Sequence, residues 1–252
     1  MAAEITVLGC GTRVLLRERS MSGYAVRRPD FFVLLDCGAG VIRRGLEAGL
    51  PMLHVDAILF SHLHLDHIAD LPALLWALDG EGQQRAERPL RLFGPPGFAN
   101  FFAQLGHVYG NWIERLPVPL LIHEVQRERF NLGPWQIETL PMFHGISANG
   151  YRLESDEKIL AYTGDTGFCD EVVTLARNAD WLIIECSFPD GHYMPTHLTA
   201  GEAGQLAAQA WCKQVLLTHF YPDCFAVDVA AQCRKFFSGR IELASDLKRL
   251  ML

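Results

Sequence analysis

Apolar and polar positions alternate along this chain in short runs that read as strands separated by helices. Glu4–Gly9, 31–36 and 55–60 are six-residue, mostly apolar segments, and each predicts a strand. Residues 41–48 predict a short helix stopped at Gly49, and 68–78 an apolar helix with Pro72 in its first turns. Residues 79–89 are polar and contain two glycines, so they predict an exposed loop before a strand at 90–93. Strand-like runs then follow at 120–125, 136–140, 149–153 and 159–163. Residues 170–178 predict a helix and Trp181–Glu185 a buried strand. Thr199, with Glu202 three residues later, is a capping box that opens a helix over 203–211. Gln214–Thr218 is the last clear strand and 227–237 the last long helix. Gly9-Cys10-Gly11 and Asp36-Cys37-Gly38-Ala39-Gly40 mark tight turns where backbone must approach something closely. The mixture fits sheets packed face to face and covered by helices. A length of 252 residues, without repeats or a linker-like stretch, suits one large α/β domain over 1–252.

Composition narrows the picture. Half of the residues are apolar, yet no run is long enough to span a bilayer. The segment Met1-Ala2-Ala3-Glu4 is too short and acidic for a secretory signal, so the expectation is a cytoplasmic protein. Seven cysteines at 10, 37, 169, 186, 212, 224 and 233 have no C-x-x-C spacing, which predicts reduced core residues rather than a disulfide framework. A net charge of −7 argues against a general nucleic-acid coat. The charge is uneven: residues 1–45 hold seven arginines and carry +3, against −10 for the remainder, so a local basic rim could meet an anionic substrate.

The chemistry concentrates in Phe60-Ser61-His62-Leu63-His64-Leu65-Asp66-His67, where three imidazoles and a carboxylate fall within six residues after an apolar strand. His and Asp suit zinc and similar divalent ions. His62 and His64 alternate, so extended backbone projects them the same way, while Asp66 and His67 can turn toward a second ion. The H-x-H-x-D-H run after an apolar strand resembles the signature of the metallo-β-lactamase superfamily. That pattern requires three later ligands. His144 in Pro141-Met142-Phe143-His144-Gly145, Asp165 in Thr163-Gly164-Asp165-Thr166 and His219 in Leu217-Thr218-His219-Phe220 stand in the right order, each after an apolar run.

The resemblance implies a four-layer αβ/βα sandwich, with two mixed β-sheets packed face to face, helices outside and metals at the sheet edges. It assigns one ion to His62, His64 and His144, and the other to Asp66, His67 and His219, with Asp165 bridging. A carboxylate can serve two cations through its two oxygens, whereas an imidazole offers one nitrogen to each metal. Two divalent ions follow, Zn2+ first and Mn2+ or Fe2+ as alternatives, with a bridging hydroxide as nucleophile that Asp66 could orient.

Glu185 in Ile184-Glu185-Cys186-Ser187-Phe188 and His197 in Thr196-His197-Leu198-Thr199 are similar to the ribonuclease Z branch. There a Glu in an H-E-A-T-F segment supports a later His in H-S-T. Ile184 here replaces the His of the first segment, and Leu198 replaces the Ser of the second. Asp66, His197 and Glu185 are therefore the catalytic candidates. His197 would protonate the leaving oxygen and Glu185 would orient it. His54, His107, His123 and His192 match no motif.

Ribonuclease Z inserts a long tRNA-gripping arm between the segments of His144 and Asp165, but only twenty residues separate them here. Tight tRNA binding is therefore not expected. A small anionic phosphodiester or an RNA 3′ end is the expected substrate, and a cyclic nucleotide stays open. The alternative is hydrolysis of a lactone, thioester or other carbonyl compound on the same metals. The apolar, aromatic-rich stretches 71–78 and 98–112 could contribute to a homodimer, and no membrane partner is expected.

Overall fold

The computed structural model describes residues 2–81, 88–156 and 158–252. Most of the polar stretch read as an exposed loop at 79–89 lies outside the described residues. Among those residues the strands of the first sheet are β1 (Glu4–Gly9), β2 (Gly23–Arg28), β3 (Phe31–Leu35), β4 (Ala57–Leu59), β5 (Leu90–Gly94) and β6 (Leu120–Glu124). The second sheet holds β7 (Arg129–Leu132), β8 (Trp135–Pro141), β9 (Asn149–Ser155), β10 (Lys158–Tyr162), β11 (Trp181–Glu185), β12 (Gln214–Thr218) and β13 (Arg240–Leu243). The last strand, β14 (Arg249–Met251), returns to pair with β1, giving orders β14-β1-β2-β3-β4-β5-β6 and β13-β12-β11-β10-β9-β8-β7. Each sheet is mixed in the same way. An antiparallel meander, β1-β2-β3 or β7-β8-β9-β10, is followed by strands paired in parallel.

The helices are α1 (Val41–Glu47), α2 (Leu65–Ile68), α3 (Leu71–Glu81), α4 (Phe98–Tyr109), α5 (Asp170–Leu175), α6 (Ala200–Gln209) and α7 (Val229–Arg234). In α3 the buried residues Leu71, Leu74, Leu75 and Leu78 recur at the spacing of one helix face. They pack with Val41 and Phe98 on the outer face of the first sheet, against Leu34, Ile58 and Leu92. Neighbouring residues of those strands, Val33, Leu35, Ala57 and Leu59, turn inward and join Trp135, Ile137, Tyr151 and Leu153 of the second sheet. Both faces of the central strands are thus covered, which is why they read as continuous apolar runs. The arrangement is the expected four-layer αβ/βα sandwich.

Several boundaries differ from the sequence reading. The helix read at 68–78 is divided at 69–70, where α2 ends and α3 begins: the Asp70 backbone N–H donates to the Cys37 carbonyl instead of the preceding turn, and its side chain accepts from the Gly40 and Ile42 N–H groups. The helix expected at 203–211 starts at Ala200, with Thr199 as its N-cap and both capping-box bonds formed. The segment 227–237 contains only the six-residue α7, capped by Asp228. β2, β7, β13, β14 and α4 were not anticipated. The chain between β9 and β10 turns at Asp156, with Ser155 paired to Lys158, so among the described residues no arm leaves this hairpin. Glu157 lies outside the described residues. Of the seven cysteines, all free, six are buried and Cys169 is half-buried.

Candidate metal centre

The histidine run is held by what lies beside the end of β4. Asp36, just past β3, has φ 58° and is fully buried. It accepts from the Ser61 backbone N–H at 2.6 Å and from Ser61 Oγ at 2.7 Å. Its Oδ2 also accepts from His67 Nδ1 at 2.6 Å and from the Tyr162 hydroxyl. From there the chain enters α2, with His64 as an extended N-cap residue. Asp66 and His67 lie on that helical turn. A Cβ at Gly38 would fall 2.1 Å from the Asp66 carbonyl oxygen, so the close approach read at this glycine is real.

The other three residues follow strands of the second sheet: His144 after β8, Asp165 after β10 and His219 after β12. They arrive at the C-terminal ends of strands, where open α/β sheets place their sites. Two of these turns need a left-handed backbone, at Gly164 (φ 59°) and at His219 itself (φ 58°). At Gly164 a Cβ would also sit 2.4 Å from Ser61 Cβ.

The seven residues read as ligands converge on one place. His62 Nε2 lies 3.0 Å from His64 Nδ1, which lies 3.2 Å from His144 Nε2. Asp165 Oδ1 lies 3.2 Å from His67 Nε2 and 3.4 Å from His219 Nε2, while its Oδ2 faces His62 Nε2 at 3.8 Å. Asp66 Oδ2 lies 3.5 Å from His219 Nε2 and 3.9 Å from His67 Nε2. Donors 2.0–2.1 Å from a tetrahedral ion are about 3.3–3.4 Å from one another. The clusters His62/His64/His144 and Asp66/His67/His219 could each hold an ion on that spacing.

The fit to metals rests on unsatisfied atoms. His67 Nε2, His219 Nε2 and Asp165 Oδ1 are buried, face one another and have no hydrogen-bond partner. Burial without a partner is costly, and a cation removes that cost for all three. The opposite ring nitrogens are already committed. Ser61 Oγ lies 3.0 Å from His62 Nδ1 and Ser187 Oγ 3.0 Å from His219 Nδ1. Each serine gives its proton to a carboxylate, Asp36 or Glu185, so its oxygen accepts from the ring. His144 Nδ1 donates to the Thr196 carbonyl at 3.1 Å. These bonds leave Nε2 lone pairs pointing inward, as a metal ligand needs.

The electrostatics agree. Burial holds His62 well below the usual histidine range, with His67 adding to the effect. Burial and then His144 lower His64. Burial opposes a charge on His67, but Asp165 and Asp36 outweigh it and raise its imidazole. Burial likewise opposes ionisation of Asp165, and His219 and His67 overcome it. The carboxylates draw positive charge from a protonated ring where divalent ions would supply it.

Glu185 and His197 are adjacent to this centre. His197 Nδ1 donates to Glu185 at 3.1 and 3.2 Å, and Glu185 also accepts from the Thr166 N–H at 2.5 Å and the Leu198 N–H at 3.2 Å. Burial opposes a charge on His197, but the Glu185 hydrogen bond prevails and raises its pKa to about 9. His197, His64, Asp66, His144 and Asp165 line one cleft of about 670 Å³, together with Arg13, Met21, Leu63, Met194 and Tyr221.

Sequence reasoning missed Asp36, Ser61, Tyr162 and Ser187, which orient the rings. The one available signal was Asp36, a charge ending an apolar strand at a glycine-rich turn. The four histidines without a motif stay apart from the cluster. His192 stacks on Phe188 and His123 on Phe93, while His54 closes a short 3-10 turn and His107 lies in the last turn of α4.

Residues 32–220 match the family model for the beta-lactamase superfamily domain. An uncharacterised protein of Mycobacterium tuberculosis is 33% identical over 254 residues, covering 96% of this chain and 89% of its own. A ribonuclease Z of Mycobacterium bovis is 31% identical over 278 residues, covering 98% and 97%. The crystal structure of the metallo-beta-lactamase fold protein YhfI from Bacillus subtilis superposes with a TM-score of 0.88 at 25% identity, over the whole of both chains. With a family match over most of its length and relatives that include a ribonuclease Z, the chain belongs to the metallo-β-lactamase superfamily, in its ribonuclease Z-like branch, and is a metal-dependent hydrolase.

Proposed function

We propose that the protein is a dinuclear phosphodiesterase. His62, His64 and His144 hold one divalent ion, Asp66, His67 and His219 hold the other, and Asp165 is shared. The carrying observation is the Asp165 carboxylate, whose two oxygens face different clusters and whose Oδ1 is buried without a partner. The histidine-rich donor set favours zinc, with manganese or iron accepted by the same ligands. When bound, the ions supply the Lewis acidity that activates water and offsets charge on the phosphoryl group.

The chain's own groups do the rest. Asp66, the more exposed of the two acids, accepts a hydrogen bond from the attacking water and aims it. His197 donates its proton to the departing oxygen. An alkoxide is a poor leaving group, so the reaction needs this donor, and Glu185 keeps the ring charged and turned into the cleft. The short β9–β10 hairpin supports a small phosphodiester or an RNA 3′ end as substrate rather than a firmly gripped tRNA. Pairing of β14 with β1 supports one hydrolase domain over 1–252, because both ends of the chain close the same sheet. Exposed Trp76, Val108 and Tyr109 support a homodimer through the 71–78 and 98–112 stretches.

The test is hydrolysis of bis(p-nitrophenyl) phosphate by the metal-loaded protein, with His64→Ala as blank. Turnover lost in the variant is the expected result. A protein carrying both metals that does not turn over this diester would overturn the reading and direct attention to thioesters and lactones.

A further inference from the structure

The arginines of residues 1–45 have different partners. Arg28 pairs with Asp156 at 2.7 Å, and Arg43 and Arg44 pair with Glu47 at 3.0 and 2.8 Å. Arg19 reaches inward, donating to Cys10 Sγ and the Ala244 carbonyl and lying 4.8 Å over the Phe225 ring. Arg13 does none of this. It is exposed, has no acidic partner among the described residues, and lines the cleft that contains Asp165 and His197.

Its position is fixed by the loop that carries it. The Gly11 N–H donates to the Ser20 carbonyl at 2.8 Å, and the Ser20 N–H to Asp246 Oδ2 at 2.7 Å. A Cβ at Gly11 would lie 2.9 Å from Ser20 O, so the two limbs of the loop are in close contact. Within the turn the Val14 N–H donates to the buried Thr12 hydroxyl at 3.2 Å. The guanidinium therefore stands on a pinned turn. Tyr221, stacked on Phe188 at 4.9 Å, lines the same cleft, and Met21 and Leu63 add apolar surface to it. An exposed guanidinium without an acidic partner among the described residues, in a cleft with apolar surface to hand, is an anion receptor, and its planar fork fits phosphate. The scissile phosphate is already provided for by the metal ligands and His197.

We infer that Arg13 binds a second phosphate of the substrate, so that the preferred substrate is a phosphodiester carrying another phosphate, as in a nucleotide substituted at both its 3′ and 5′ positions. This rests on the phosphodiesterase reading for its chemistry, but binding tests it separately. Calorimetric titration of the metal-loaded protein would compare thymidine 3′,5′-bisphosphate with thymidine 5′-monophosphate. The wild type is expected to prefer the bisphosphate by roughly ten- to hundredfold, the worth of a charged hydrogen-bonded pair. In Arg13→Ala that ratio should fall to about one, and Arg13→Lys should retain part of it. A wild type without preference, or an Arg13→Ala protein that keeps it, would overturn the inference. The p-nitrophenyl esters of thymidine 5′-phosphate, with and without a 3′-phosphate, separate the two readings. Turnover of both at equal efficiency sinks the subsite and leaves the phosphodiesterase. Failure to hydrolyse either, with Arg13-dependent bisphosphate binding intact, sinks the phosphodiesterase and leaves the subsite.

Discussion

The two donor clusters sit side by side but are built differently. His62, His64 and His144 offer three imidazoles and no carboxylate, and of these His64 is exposed and His144 half-buried. Asp66, His67 and His219 are all buried, carry one acid of their own, and meet Asp165 through its unpartnered oxygen. Two rings are braced in each cluster, His67 by Asp36 and His219 by Ser187, His62 by Ser61 and His144 by the Thr196 carbonyl, but only the buried cluster has a charged brace. A site with charge, burial and fixed rings binds more tightly than a neutral site open to solvent. On the proposed dinuclear reading, the buried cluster would hold its ion tightly and the cluster at the cleft would hold a more exchangeable one.

The largest effect should come from the group the clusters share. Asp165→Asn is expected to lower metal content at both clusters and turnover by more than about 100-fold, beyond the usual cost of losing an outer partner. Elemental mass spectrometry with parallel assays decides it, and full retention of one equivalent would mean that Asp165 serves a single ion. Next comes Asp36→Asn, which removes a charged partner of His67. Roughly 10–100-fold weaker binding is expected at the buried cluster, and a smaller loss at the other, which meets Asp36 only through Ser61 and His62. Competition with a chelator should then reverse the order of release, and loss of both ions together would break the comparison.

A smaller effect concerns the cleft. His197 is held up to about 9, so activity that needs its proton is retained below that value and lost as pH rises through it. The ion pair's contribution to stability has the same sign: it is complete below the unfolded value near 6.5 and disappears as pH passes the folded one. Bound cations push the proton off sooner, so the basic limb lies at or below about 9. Glu185→Gln should move that limb of the kcat profile downward, with any loss of metal confined to the cluster whose His219 it reaches through Ser187, whereas an unmoved limb would release His197 from the role of acid. The smallest effect lies away from both clusters. Thr199→Ala removes the α6 cap and should cost about 0.5–2 kcal/mol in thermal or urea unfolding, with metal binding unchanged.

Legibility followed the same physical lines. Strands such as β11 and β12, buried on both faces, were plain as apolar runs. β2 was hidden by Arg27 and Arg28, because Arg28 is buried against Trp135 and donates through its terminal nitrogens to Ser155 and Asp156 across the sandwich. α4 went unread because its sequence is aromatic-rich and lacks charge. The seven converging donors were visible through their motif, and four of them are nearly contiguous. The bracing residues were not, since Tyr162 reaches Asp36 from 126 positions away and only sheet packing brings them together. Arg13 was legible as a charge, but its place in the cleft, without an acidic partner among the described residues, came only with the fold.

Neither half of this chain owns a complete site. The strands up to β6 deliver His62, His64, Asp66 and His67, and those from β8 onward deliver His144, Asp165 and His219. A divalent ion held as proposed in either cluster would therefore be a rivet through the seam between the two sheets. Its binding energy counts directly toward keeping them together, about 4 kcal/mol at a thousandfold excess over the dissociation constant. Starving a cell of metal would then thin out the folded molecules as well as silence them.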